Sequence, residues 1–124
     1  MKKIVFVTTL TTMLAACSLL PSKTVSGTYQ GTLPCADCEK IEAELILNKD
    51  NTYQYNTVYY KNKEKHPFHE KGRYTWDPNK SNVIRLTNSG NMAVQVSDKY
   101  VEFCDASGNT VKSSHNYKLQ KVAP

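Results

Sequence analysis

The chain has 124 residues, a mass of 14.0 kDa and a formal net charge of +5, from 16 Lys and Arg against 11 Asp and Glu. This length suits one small domain and excludes a multidomain enzyme. A mean hydropathy of −0.54 excludes a polytopic membrane protein, and eight Tyr, three Phe and one Trp argue against disorder. The sequence is therefore that of a small folded module.

The first residues have the pattern of an export signal: two lysines, a short apolar stretch rich in Thr, and two alanines before Cys17. A cysteine at that point is the mark of a lipoprotein, in which the thiol is acylated before cleavage. We predict a lipoprotein signal peptide over 1–16, lipidation with palmitate-type chains at Cys17 and a lipidated tether over 17–24. Ser18, in place of Asp, favours sorting to the outer membrane of a Gram-negative cell. A plain secretory signal is the alternative.

Beyond the tether, apolar and polar residues alternate in short segments separated by turn residues, which indicates β-strands. Segment 41–47, for example, sets Glu42 and Glu44 on a solvent face opposite its aliphatic residues. The same alternation places Trp76 on the inner face of its strand. The predicted strands are 25–32, 41–47, 52–60, 68–76, 83–87, 92–97, 100–104 and 111–119.

About eight short strands without a helical pattern predict an all-β fold, a small antiparallel barrel formed by residues 25–124. A barrel removes exposed sheet edges, and one of this size either fills its interior with side chains or holds one small ligand. A sandwich is the alternative.

Cys35 and Cys38 lie in a Pro-Cys-Ala-Asp-Cys segment between two predicted strands. Their spacing is that of the ends of a β-turn, which permits a disulfide or two thiolates on one soft ion such as Cu(I). Thioredoxin-like redox chemistry is disfavoured because no helix follows and Asp37 opposes thiolate formation. Structural zinc would need two further ligands. The residues alone leave disulfide and copper ligand open.

The remaining polar clusters carry weaker signals. His66 and His69 are three residues apart, so on a strand they point to opposite faces and are read as surface residues. His115 stands alone. The basic run 61–65 is interpreted as a solvated loop tip. The alternative is that it binds lipid headgroups or an acidic partner. No aromatic-interleaved basic stripe predicts nucleic-acid binding, and no motif predicts an enzyme.

One run of residues resembles a known family. The segment from Gly27 to Cys38, GTYQGTLPCADC, is similar to the N-terminal domain of the NlpE/CutF family of copper-homeostasis and adhesion lipoproteins. The stretch 72–76, GRYTW, the stretch 83–86, VIRL, and Asp105 with the following Gly-Asn support the likeness. The resemblance spans almost the whole mature chain.

The resemblance implies a lipocalin-like barrel on the outer membrane, copper as the cofactor bound by Cys35 and Cys38, and a part in envelope-stress and adhesion sensing. The implied partners are outer-membrane lipid through Cys17 and an envelope sensor kinase or other envelope protein. Cys104 is expected to be a small buried residue and not a third ligand. The alternative function is a structural or interaction barrel whose Cys35–Cys38 pair is a disulfide, binding a small apolar ligand or another envelope protein.

Overall fold

A computed structural model describes residues 25–124, and these form an eight-stranded antiparallel barrel closed by pairing of the first and last strands. The predicted signal peptide, the tether and Cys17 lie outside the described residues. Within the described part, no helix is long and apolar enough to span a membrane. The strands are β1 (Gly27–Leu33), β2 (Lys40–Leu47), β3 (Thr52–Lys61), β4 (Glu64–Trp76), β5 (Val83–Leu86), β6 (Met92–Val96), β7 (Tyr100–Phe103) and β8 (Lys118–Ala123). The predicted all-β barrel is confirmed, and the sandwich is wrong.

Alternation of side chains along each strand fills the barrel interior. Tyr29 of β1 pairs with Leu45 of β2, which pairs with Tyr55 of β3, so one register aligns the inner faces of three strands. Glu42 and Glu44 lie on the other face, as predicted. The largest fully buried side chains are Tyr29, Tyr53, Leu45, Leu47, Ile84, Leu86, Leu119, Val83, Val94 and Val101.

Residues with left-handed backbone form the hairpin turns before and after β3. Asn51, between β2 and β3, has a φ of 67°, and the Asp50 carboxylate accepts the backbone N–H of Thr52 at 3.1 Å. Asn62 and Lys63, between β3 and β4, have φ values of 53° and 65°, the geometry of a type I′ turn. The basic run 61–65 is thus the exposed tip of a hairpin, as predicted.

The last strand differs from its prediction. Segment 111–119 was expected to be a strand, but residues 111–117 form an irregular loop and β8 covers Lys118–Ala123. Residues 112–116 are all polar, so an extended backbone there would bury no apolar face. Leu119 supplies that face instead, and the Asn116 side-chain amide donates to Thr32 O and Lys118 O, both at 3.0 Å, to fix the entry into β8.

Trp76 lies on the same side of β4 as the buried Tyr74, as predicted, but it is less shielded from solvent than expected. It keeps 37% of its surface exposed, whereas Tyr74, two residues earlier on β4, is buried. The paired residues of β4 and β5 are Tyr74↔Leu86, Thr75↔Arg85 and Trp76↔Ile84, so Trp76 lies at the end of this ladder, next to the loop that begins at Asp77.

The barrel closes where β1 approaches β8 at Gly31. A Cβ added to Gly31 would stand 2.8 Å from the backbone oxygen of Lys118 and 3.1 Å from Leu119 Cδ2. Because backbone cannot swing aside, Gly31→Ala is expected to lower the free energy of unfolding by about 1–3 kcal/mol, and Gly31→Val by more. Urea denaturation measures both, and a Gly31→Val variant as stable as the wild type would contradict this closure geometry.

A half-buried ion pair holds the loop after β4. Asp77 Oδ1 accepts the backbone N–H of Asn79 at 2.8 Å, and Asp77 Oδ2 lies 2.9 Å from Arg85 Nη2. Arg85 also donates to Ala106 O at 3.0 Å, and this bond connects β5 to the loop after β7. The Asn79 N–H and the Arg85 guanidinium hold the pKa of Asp77 below its usual 3.8.

Asp77 should therefore give the fold a pH-dependent stability. A carboxyl whose pKa is lowered by folding stabilises the protein above its ordinary pKa, and that contribution is lost as pH falls below 3.8 toward the folded value. We expect Asp77→Asn to be less stable than wild type near neutrality, with the difference shrinking in acid. Urea unfolding at several pH values measures this; a difference that stays constant down to the acid limb would refute it.

Candidate functional site

Cys35 and Cys38 lie in the loop between β1 and β2, at the rim of the barrel. Leu33, buried at the end of β1, fixes one side of the loop. On the other side the backbone N–H of Glu39 donates to Tyr60 O at 2.8 Å, which extends the β2–β3 ladder to the loop. Cys35 and Cys38 form a disulfide with Cα atoms 5.4 Å apart, and both residues are half-buried.

Asp37 sits between the two cysteines and is largely exposed, with 81% of its side-chain surface accessible. One carboxylate oxygen lies 3.6 Å from Cys35 Sγ, and the other lies 3.5 Å from the Lys61 ammonium at the end of β3. Donor atoms of Cys35, Asp37 and Cys38 all lie within 4.8 Å of one another, the only such group of three among residues 25–124. The loop thus gathers two sulfurs and one carboxylate at the surface.

This donor set fits a soft ion in one redox state only. In the disulfide, neither sulfur is a thiolate, so the closed form offers no strong ligand. After reduction, Cys35 and Cys38 would present two thiolates, the ligands that Cu(I) prefers, from a loop whose backbone already brings them together. A four-coordinate zinc site would need further nitrogen or sulfur donors that the group lacks.

Cys104 does not join this group. It follows β7, its backbone pairs in an isolated bridge with Thr110, and its thiol donates to Glu102 O at 3.5 Å. Burial raises the pKa of the Cys104 thiol, which disfavours a thiolate. The expectation of a buried residue was partly wrong, because Cys104 is half-buried at the end of its strand.

A cleft of about 700 Å³ opens beside the disulfide. The β3–β4 hairpin extends past the barrel mouth, and its inner face forms one wall, while Asp37 and Cys38 stand at the rim. Tyr59 and Phe68 meet on this wall with ring centroids 5.3 Å apart, and Phe68 is 53% exposed. The lining residues are Asp37, Cys38, Tyr55, Thr57, Tyr59, Lys61, His66, Phe68, Glu70, Asn88, Ser89, Gly90 and Met92.

The predicted surface histidines are both exposed on β4. His66 faces the cleft beside Tyr59, while His69 lies on the outer face, where its Nδ1 is 2.9 Å from Asn56 Oδ1. The two imidazoles therefore point to opposite faces, as the strand spacing predicts. His115 lies exposed in the loop before β8, where its backbone N–H donates to the Ser113 hydroxyl at 3.1 Å.

Sequence reasoning missed this cleft. Tyr55, Tyr59 and Phe68 were visible as apolar positions of strands, and such positions ordinarily belong to a core. The signal that could have located the cleft is the unequal length of neighbouring strands, since β4 has 13 residues and β5 has four. The excess length of β4 carries its inner face beyond the barrel.

An eight-stranded barrel with a Cys-x-x-Cys loop at its mouth, in a chain whose residues 1–18 match the prokaryotic membrane lipoprotein lipid attachment site, defines a lipid-anchored barrel lipoprotein of the bacterial envelope. More particularly, the chain belongs to the NlpE family, because residues 29–114 match the model of the NlpE N-terminal domain.

Named relatives agree with this assignment. Lipoprotein NlpE of Escherichia coli (strain K12) is 31% identical over 99 residues, which cover 79% of this chain and 42% of that protein. The crystal structure of a lipoprotein from Shewanella oneidensis matches with a TM-score of 0.70 and 32% identity, over 79% of this chain and 89% of that chain. The crystal structure of the Cpx pathway activator NlpE from Escherichia coli matches with a TM-score of 0.60 and 32% identity, over 74% and 47% respectively. The chain thus spans less than half the length of the Escherichia coli protein.

Proposed function

We propose that this chain is a non-enzymatic, outer-membrane-anchored lipoprotein that handles copper through Cys35 and Cys38 and reports on the state of the envelope. The observation that carries the proposal is the group of Cys35, Asp37 and Cys38, whose donor atoms lie within 4.8 Å of one another on the rim loop. An exposed rim loop lets an ion enter and leave without opening the barrel.

Copper binding requires a prior redox step. A dithiol reductant breaks the Cys35–Cys38 bond by giving two electrons and two protons, and itself becomes a disulfide. Cu(I) then replaces the thiol protons and is held by two sulfurs. Lys61, 3.5 Å from Asp37, offsets the carboxylate charge beside the sulfurs. The loop would therefore respond to copper and to thiol redox state together.

The membrane attachment follows from the other end of the chain. Acylation of Cys17 would anchor the protein, since each buried methylene contributes about 0.8 kcal/mol of membrane affinity. Ser18 after the cysteine supports the outer membrane as the destination. The Escherichia coli relative is described as a Cpx pathway activator, which supports an envelope sensor kinase or another envelope protein as the partner of this chain.

A second function is favoured by the disulfide and the cleft together. With Cys35 and Cys38 bonded, the disulfide has a purely structural role, here called the staple function, and cross-links the rim loop. The aromatic cleft of about 700 Å³ beside it could hold a small apolar ligand. In that case the barrel is a binding or interaction module, and copper plays no part.

Copper tolerance of cells separates the two functions. Cells carrying Cys35→Ser with Cys38→Ser are expected to lose copper tolerance, whereas cells carrying Cys104→Ser, the matched single-thiol control, are expected to keep it. Immunoblots of outer-membrane fractions verify equal amounts of each variant. Full tolerance in the double variant would leave the staple function standing and remove copper handling.

A further inference from the structure

The long β4 strand has one unpaired edge. Residues from Glu64 to Arg73 pair with β3 on one side, but among residues 25–124 the pairing of β4 with β5 covers only Tyr74 to Trp76. On that second side Arg73 O accepts the backbone N–H of Thr87 at 3.1 Å, so the open edge begins beyond it, at Lys71, and continues to the hairpin tip.

Hydrogen bonds show which residues present backbone groups to this edge. Arg73 O points to the β5 side, whereas Tyr74 N donates to Asn51 O on the β3 side at 2.9 Å. Because successive residues of a strand point their backbone groups to opposite edges, Lys65, His69 and Lys71 each offer an N–H and a C=O to the open edge. Pro67 offers only a C=O, which is the place where a strand tolerates proline.

The two faces of the same segment differ in chemistry. The outer face presents Lys65, His69, Lys71 and Arg73, all exposed. None of the three cations Lys65, Lys71 and Arg73 lies within ion-pair distance of a carboxylate of the described residues; Glu42 and Asp50 act on Lys65 and Arg73 only at longer range. The inner face presents Phe68 to the aromatic cleft, with His66 and Glu70 on either side of it.

We propose that the open edge of β4 is a strand-addition site for an extended segment of a partner protein in which acidic and apolar residues alternate. An added strand would bond to the backbone of Lys65, His69 and Lys71. Its side chains would then point alternately to the basic outer face and into the cleft beside Phe68. Neither the copper proposal nor the staple function is needed for this inference.

Charge argues against a second copy of this chain as the occupant. Edge-to-edge pairing of two β4 strands would place Lys65 and Lys71 of one copy beside the same residues of the other, and like charges directly opposed are destabilising. Pro67 would also remove one N–H from each strand of such a pair. An acidic partner strand avoids the charge repulsion, and in that pair only β4 lacks an N–H.

Amide exchange tests the site directly. The mature chain with Cys17→Ser, exported behind a signal that is not lipidated, is mixed with an eight-residue peptide of alternating Glu and Val. NMR should show hydrogen exchange at the His69 and Lys71 amides slowed at least about tenfold, because these N–H groups face solvent until a strand covers them. A peptide of four Glu followed by four Val has the same charge without the alternation and should give no protection.

Charge reversal supplies the matched variants. Lys65→Glu with Lys71→Glu is expected to weaken peptide binding about tenfold or more. Lys49→Glu with Lys99→Glu makes the same change in net charge at exposed turn positions outside the hairpin and should bind as wild type does. The proposal is overturned if the peptide binds without protecting His69 and Lys71, if both peptides bind equally, or if only phosphatidylglycerol vesicles bind the basic face.

Discussion

Replacing Tyr29 with alanine is expected to lower the free energy of unfolding by about 3–5 kcal/mol, a large share of the stability of a small domain. Tyr29 is 0% exposed in the centre of the barrel, and its hydroxyl donates to Val25 O at 2.7 Å. Truncation leaves a cavity that the closed sheet cannot collapse and an acceptor without its donor. Tyr29→Phe removes only the hydroxyl and should cost about 1 kcal/mol.

Trp76→Ala is the control for this prediction. The indole is larger than the Tyr29 ring but is 37% exposed at the end of the β4–β5 ladder, so its truncation should cost only about 1–2 kcal/mol. Urea denaturation of both variants, followed by circular dichroism, gives the two values. If Trp76→Ala were the more destabilising of the two, the core as described would be wrong.

Replacing Cys35 and Cys38 together with serine is expected to weaken Cu(I) binding by about a thousandfold or more. The binding free energy of Zn²⁺ at structural sites with several protein ligands is about 10–16 kcal/mol, so we assign roughly 5 kcal/mol or more to two sulfur ligands. A loss of that size corresponds to a more than thousandfold increase in the dissociation constant. Competition against a colorimetric Cu(I) chelator, with the wild type fully reduced, measures the ratio.

The double variant should remain folded, so a lower Cu(I) affinity would reflect the loss of ligands and not unfolding. The disulfide closes a ring of only four residues, so its loss costs roughly 2 kcal/mol or less by the chain-entropy estimate. Cys104→Ser, which removes the half-buried thiol away from the loop, should leave Cu(I) binding unchanged. Equal affinity of the double variant and the wild type would end the assignment of Cys35 and Cys38 as ligands.

Alternation of side chains was sufficient to predict most of the barrel. In segments such as β2, every second residue is buried, with Leu45 inside and Glu44 outside. A shift of one residue in the strand pairing would turn the buried residues to solvent, so the pattern also determines the register. The prediction failed at β8 because Val111 is one apolar residue in a polar segment, and only closure against β1 at Gly31 selects Lys118–Ala123 as the pairing strand. Long-range pairing of this kind leaves no local pattern.

The candidate site was predictable in part. Two cysteines three residues apart define the loop chemistry, and the structure places Asp37 with them within 4.8 Å. The cleft and the open edge of β4 were missed because both depend on β4 being longer than β5. Turn residues indicate where each strand ends but not which strand pairs with it, so the difference in strand length was the signal available. Pro67 was the one local hint that this strand has a free edge.

The most direct test of the copper proposal compares the two redox forms of one protein. The chain with Cys17→Ser, isolated from the periplasm, is divided, one portion is reduced, and both are titrated with Cu(I) while proton release is followed. The reduced form is expected to bind a single Cu(I), to release protons and to bind more weakly as pH falls, because protons compete for the thiolates of Cys35 and Cys38. The oxidised form should not bind. A reduced form that binds Cu(I) no better than the oxidised one would contradict the proposal.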